Sequence, residues 1–143
     1  MLVYNGPGAC NLEDMTAAPL RWEVPATPDQ VAPLRRLARS FAVQHGFGSG
    51  RADDVALAVS EALTNVVLHA YRDGGAAGQM CLVAAGNTGG WVDFEITDEG
   101  VGVVPNASSP GLGLGISIMR QLSDAFDLGG GASGGRVRLR FGR

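Results

Sequence analysis

Apolar positions along the chain recur with two different periods. Leu20, Trp22 and Val24 alternate with Arg21 and Glu23, which predicts a first strand over Leu20–Val24. From Val31 the period lengthens. Val31, Leu34, Leu37, Ala38 and Phe41 recur at helical spacing, with Arg35, Arg36 and Arg39 mostly on the other side. Thr27 as N-cap, Pro28 at the first helical position and Gln30 reaching back as in a capping box would start this helix. Pro33, in the second turn, either kinks it or marks its real start, and His45-Gly46 stops it. A Gly/Ser loop, Gly46–Gly50, leads into a second helix over about Asp53–Tyr71. Its apolar face is broad enough to predict a largely buried helix.

Strands follow. Met80–Ala84 is short and apolar, Asn87–Gly90 reads as a turn, and Trp91–Thr97 alternates cleanly. Val92, Phe94 and Ile96 share one face; Trp91, Asp93, Glu95 and Thr97 share the other. A glycine-punctuated loop, Asp98–Gly115, precedes a third helix over about Ile116–Ser123. Ala125–Leu128 reads as a strand, Gly129–Gly135 as a flexible connection, and Arg136–Phe141 as a last strand with Val137, Leu139 and Phe141 inward. Helices early and centrally, with strands joined by short turns, predict an α+β two-layer sandwich. Its mostly antiparallel sheet would be covered on one face by about three helices. Residues 1–18 show no clear period and read as an N-terminal extension to a single domain over 19–143.

Composition narrows the chemistry. A net charge of −3 disfavours a sequence-independent nucleic-acid binder. All 11 basic residues are arginine, which excludes a Walker P-loop, the strand lysine of the common protein-kinase fold and Schiff-base catalysis. Cys10 and Cys81 carry no paired metal motif. The N-terminus lacks a signal-peptide pattern and no run of ~18 apolar residues exists, so the expectation is a soluble, cytoplasmic protein without a membrane. Glycine makes up 22 of 143 residues, about twice the usual share, which points to turns and to close backbone approaches.

Three groups of residues carry candidate chemistry. Glu61, Asn65 and His69 are spaced i, i+4, i+8 on the second helix, a carboxylate, an amide and an imidazole along one side of an apolar segment. A satisfied polar stripe gives the same pattern; as ligands, amide and water oxygens suit Mg²⁺. Asp98-Glu99-Gly100-Val101-Gly102 places a carboxylate at a strand end before two glycines, which fits an acceptor for an exocyclic amine beside a flat group, or an ordinary turn. Gly111-Leu112-Gly113-Leu114-Gly115 opens a helix, where free amides make an anion site. It is not the dinucleotide fingerprint, because Ile116 stands where the third glycine belongs.

In this order and spacing, the stretch Glu61…Asn65…His69-Ala70-Tyr71, then Asp98…Gly102, then Gly111…Gly115 resembles the GHKL (Bergerat-fold) ATPase superfamily. Within it, the chain is most similar to the bacterial anti-sigma factor serine kinases, over about Leu20–Phe141. The resemblance implies ATP and Mg²⁺ as cofactors. It implies that Asn65 holds the Mg²⁺, that Glu61 is the general base toward a serine hydroxyl, and that Asp98 binds the adenine amine. Gly100 and Gly102 would give the base room. Gly111, Gly113, Leu114 and Gly115 would cradle phosphate, and His69 would sit near the phosphates or fix the helix. The implied partners are a sigma factor and a serine-bearing STAS-type anti-anti-sigma protein, with the chain itself a homodimer.

Two positions depart from the family pattern. Val103–Pro110 is short for an ATP lid, and Gly135-Arg136 stands where the family often carries Gly-Thr entering the last strand. Two functional readings therefore stay open: a serine kinase that also sequesters a sigma factor, and a nucleotide-gated binding module of the same fold without effective transfer. Arg136, Arg138, Arg140 and Arg143 form a basic strip that reads as a solvated strand face or as a docking site for an acidic partner.

Overall fold

Alternation in the strands and helical periodicity between them resolve into two layers. The structure is a computed structural model and describes residues 18–71, 78–100, 112–131 and 134–143. Strand β1 (Leu20–Pro25) is followed by a helical hairpin, α1 (Val31–Gln44) and α2 (Ser49–Asn65), the latter prolonged by a π-helical turn over Val66–Ala70. Then come β2 (Gln79–Gly86), β3 (Trp91–Asp98), α3 (Leu112–Leu122), β4 (Ala125–Gly131) and β5 (Gly134–Gly142). The sheet order is β1-β2-β3-β5-β4, and each neighbouring pair is antiparallel. The predicted α+β sandwich is the observed architecture.

The helices close over one face. Leu34, Ala38 and Phe41 of α1, Val55, Val59 and Ala62 of α2, and Ile116 and Met119 of α3 share one core with inward residues of the strands. Phe94 stands at its centre, edge-on to Phe41 at 5.8 Å and to Phe141 at 6.1 Å between centroids. Such T-shaped pairs add to the burial of the rings themselves. The core side of α2 includes Ala52, Ala58 and Ala62, so this helix lies close on the layer beneath.

Several local expectations are corrected. Pro28–Gln30 forms a 3₁₀ turn, Thr27 makes no side-chain cap bond, and the Gln30 amide donates to Asp29 at 3.4 Å, so no capping box forms. The α-helix proper begins at Val31, and Pro33 falls in its first turn, where the missing N–H has no carbonyl to lose. Helix α2 starts at Ser49, not Asp53, because Ala52 already belongs to the buried face. Gly129–Gly131 is strand rather than flexible connection: Gly129 pairs with Arg136, Gly130 with Gly135 and Gly131 with Gly134. Gly130 and Gly134 have φ of +112° and +144°, a conformation that favours glycine.

The basic strip is also corrected. On the face opposite the helices, Arg140 makes a two-pronged bond to Asp93 at 2.6 and 2.9 Å, and Arg138 bonds Glu95 at 2.7 Å. Cross-strand register places each pair side by side, so acid on β3 neutralises arginine on β5. His45 is a helix-end residue, as its position suggested. Its Nδ1 meets the Phe41 carbonyl at 2.8 Å and its ring stacks on Phe41 at 4.1 Å.

Candidate functional site

The end of α2, the start of α3 and the end of β3 hold most of the residues singled out by the sequence. Glu61 and Asn65 lie one turn apart on α2, and both point at Gly115. A Cβ placed on Gly115 would stand 3.0 Å from Glu61 Oε2 and 3.4 Å from Asn65 Nδ2. Glycine therefore lets the first turns of α3 lie directly against the carboxylate–amide pair. Asn65 is 5% exposed, and its Nδ2 has no hydrogen-bond partner among the described residues. Buried amides are normally satisfied by protein, water or a ligand, so an orphaned one is a candidate place for a ligand atom. The two ends of an amide are assigned by their contacts. Here either orientation offers one oxygen to a cation and one N–H to a phosphate oxygen. That donor set fits Mg²⁺ with a phosphate group beside it. Among the described residues no cluster of three or more His, Cys, Asp or Glu forms, so protein carboxylates alone do not build a metal cage.

Helix α3 begins at Leu112, four residues before the expected start, because the glycine run is helical rather than a preceding loop. Gly113, Leu114 and Gly115 thus lie in its first turns, where backbone amides have no partner within the helix and the dipole favours an anion. Gly113 and Leu114 are exposed; Gly115 and Ile116 are buried. Gly102, Gly111 and the segment Val103–Pro110 lie outside the described residues.

Asp98 ends β3 on the core face, 7% exposed. Its Oδ1 accepts the Gly100 amide at 2.9 Å and the Gly135 amide at 3.2 Å. Both bonds fall on one oxygen, and among the described residues Oδ2 accepts no hydrogen bond. Gly100 packs against the Ala70 carbonyl so closely that a Cβ would run into it, and Gly134 stands the same way against the Asp98 carbonyl. Backbone therefore lies against backbone on either side of Asp98. The residue beside Asp98 is Gly135. Arg136 faces the other side of the sheet, toward Asp127 at 3.8 Å, so the departure from Gly-Thr does not put a guanidinium next to this carboxylate.

His69 sits in the π turn, half-buried, and makes no side-chain hydrogen bond or ion pair among the described residues. The structure brings Glu61, Asn65 and Gly115 together and leaves His69 outside that contact. One residue given no role in sequence, Tyr71, is bonded on both sides of the Asp98 loop: its hydroxyl reaches the Gln79 carbonyl and the Glu99 amide. Its place at the end of the Glu61…Tyr71 stretch was the available signal. At the opposite end of the domain two open hollows, about 550 and 560 Å³, adjoin Trp91 and Arg143 and include none of these residues.

Residues 24–141 match the model of the histidine kinase-like ATPase domain family. The chain is 28% identical over 124 residues to the serine-protein kinase RsbW of Bacillus pumilus, covering 76% of each chain. It is 34% identical over 83 residues to the anti-sigma F factor of Clostridium acetobutylicum, covering 50% of this chain and 56% of that one. Among solved structures, the RsbU and RsbW domains of a Mycobacterium tuberculosis protein superpose with a TM-score of 0.70 at 22% identity, over 88% of this chain and 32% of that longer one. The histidine kinase domain of a blue-light activated histidine kinase from Erythrobacter litoralis gives 0.58 at 26% identity, over 82% of this chain and 61% of that one. No described helix is long and apolar enough to cross a membrane.

Proposed function

This chain belongs to the histidine kinase-like ATPase domain family, and from that premise we propose that it is an anti-sigma serine kinase. It transfers the γ-phosphate of Mg·ATP to a serine of a STAS-type anti-anti-sigma protein and sequesters a sigma factor, as a cytoplasmic homodimer built on a single ATP-binding domain over 19–143. The observation that carries the reading is the buried Asn65 amide, whose Nδ2 has no partner among the described residues, beside Glu61, both turned toward the first turns of α3.

The residues divide the work by position. Asp98 Oδ2 accepts the exocyclic amine of adenine, while Oδ1 stays fixed by the Gly100 and Gly135 amides. The first amides of α3, at Leu112, Gly113, Leu114 and Gly115, receive phosphate oxygens. Asn65 would hold Mg²⁺, which supplies charge neutralisation on the phosphates and fixes their orientation. Glu61, half-buried one turn away, accepts the proton of the serine hydroxyl as its oxygen bonds to the γ-phosphorus. The bond from that phosphorus to the bridging oxygen breaks, and ADP leaves with the electron pair. Positioning and electrostatics supply most of the acceleration in phosphoryl transfer.

Calorimetric titration of ATP with Mg²⁺, followed by transfer of labelled phosphate to a purified partner, tests this. Wild-type protein is expected to bind and transfer, Asp98→Ala to bind ATP far more weakly, Asn65→Ala to lose the Mg²⁺ dependence, and Glu61→Gln to bind without transfer. Binding by the wild type with no transfer to any cognate partner makes the chain a nucleotide-gated module instead. No binding by folded wild type rejects the nucleotide reading itself.

A further inference from the structure

Tyr71 follows the π turn and has no task in the chemistry above. Its hydroxyl donates to the carbonyl of Gln79, the first residue of β2, at 2.6 Å. It accepts the amide N–H of Glu99 at 2.9 Å. One phenol oxygen thus uses both its donor and its acceptor capacity. It clips together the end of the helical segment, the start of β2 and the residue after Asp98. The ring lies over Gly78, where a Cβ would run into it, and the neighbouring Ala70 carbonyl is pressed against Gly100. Asp98 is therefore gripped from inside by the Gly100 and Gly135 amides and from outside through Glu99.

We infer that Tyr71 is a positioning residue for recognition of the purine base: its hydroxyl fixes the Glu99 amide, and through it the direction in which the Asp98 carboxylate meets an exocyclic amine. The inference rests on the reading of Asp98 as the acceptor for that amine. It also ties the two halves of the site together. Asn65 ends α2 and Tyr71 follows the π turn that prolongs it, so the residue facing the phosphates and the clip beside the base are joined by one short turn. Burial holds the phenol above its ordinary range, and the Asp98 and Glu99 carboxylates push the same way against the lowering effect of the Glu99 amide bond. The donor proton is thus in place at neutral pH.

The test compares Mg·ATP with Mg·ITP, in which a carbonyl replaces the exocyclic amine, by equilibrium titration of the full chain. Wild type is expected to prefer ATP. Tyr71→Phe keeps the ring and is expected to weaken ATP binding about tenfold, the worth of one or two net hydrogen bonds, while ITP binding stays within about twofold. A general loosening of the fold would lower both nucleotides together, and that result overturns the proposal. Preference retained in Tyr71→Phe but lost in Asp98→Ala overturns the role of Tyr71 and leaves the Asp98 reading standing. Preference that survives Asp98→Ala overturns the Asp98 reading, and the Tyr71 proposal with it. If Tyr71→Phe does not fold, Glu99→Pro removes the same N–H from the opposite partner. Asp98 ends a strand, and that extended backbone suits the position before proline. An unchanged ATP preference in Glu99→Pro overturns the proposal.

Discussion

The two ends of the sheet are built on opposite principles. At the end near Trp91 and Gly142, polar groups are tied to one another. Arg51 donates to Asp54 at 3.2 Å, Asp124 at 2.6 Å and the carbonyls of Leu122 at 2.6 Å and Gly142 at 3.1 Å. Its guanidinium also lies 5.3 Å from the Phe141 ring centroid. One side chain thereby joins the start of α2 to the ends of α3 and β5. Asp93 and Arg140 complete this end as a buried, two-pronged pair. At the other end, backbone meets backbone through glycines, and the buried Asn65 Nδ2 has no hydrogen-bond partner among the described residues. Side chains pair with one another at the first end, whereas at the second a ligand is proposed to supply the missing atoms.

The sharpest way to break the comparison is to damage the complete end. Arg140→Ala strands the Asp93 carboxylate, 7% exposed in its side chain, without its partner. The expected loss of stability is about 3–5 kcal/mol, because one buried charge is left uncompensated. Denaturant melts would measure it, and ATP affinity of the fraction still folded should not change. The pair Asp93→Leu with Arg140→Met should restore most of the loss, since an apolar pair of similar size avoids the desolvation of both ions.

Gly100→Ala applies a similar test at the open end, with a smaller effect on stability and a larger one on binding. The added methyl meets the Ala70 carbonyl, a backbone atom that cannot turn aside. Overpacking of this kind costs about 1–3 kcal/mol. Because the displaced loop follows Asp98, ATP affinity should fall along with the melting temperature. A variant that melts early but titrates ATP normally would separate this contact from the base site.

Asn65→Leu should move the two quantities in opposite directions. Removing an unsatisfied buried amide is expected to leave stability unchanged or raise it by about 1 kcal/mol. The Mg²⁺ dependence of ATP binding should vanish. Loss of both stability and binding would mean that Asn65 is a structural residue with a partner in solution, and the contrast between the two ends would fail.

How far the sequence reveals these two ends differs in the same way. Element order, the alternation of Trp91–Thr97 and the helical face of α1 follow from periodicity, because inward residues must be apolar whatever they touch. Glu61, Asn65 and Asp98 stand out as polar residues in apolar company, and the structure brings the first two together at Gly115. What stays hidden is pairing. The basic strip on β5 looks unbalanced until the register sets Asp93 and Glu95 beside Arg140 and Arg138. The glycines of 129–131 read as slack until β5 pairs with them. The turn after Asn65 contains two adjacent β-branched valines and is π-helical, and its last residue, Ala70, lies against Gly100, a long-range contact that periodicity does not show. Tyr71 belongs to this class: its two partners, Gln79 and Glu99, are distant in sequence and are joined only by the fold.

The smallest expected effect concerns pH and refines the open end rather than breaking it. The Tyr71 phenol titrates higher in the folded chain than its ordinary value of about 10, mainly because burial disfavours the phenolate. Below that ordinary value the phenol is protonated in both folded and unfolded chains, so its contribution to stability is constant. As pH rises past it, the unfolded chain releases the proton first and binds fewer protons than the native state. Stability therefore falls with rising pH, from about 10 up through the folded value. Once the phenol ionises it can no longer donate to the Gln79 carbonyl, so the link to β2 is lost over the same interval while the Glu99 amide still donates to the oxygen. Thermal melts at stepped alkaline pH should descend more steeply for wild type than for Tyr71→Phe, which has no proton to lose. Parallel curves would mean that Tyr71 is solvated as freely in the native state as in the unfolded one, and its hydroxyl would then be no clip.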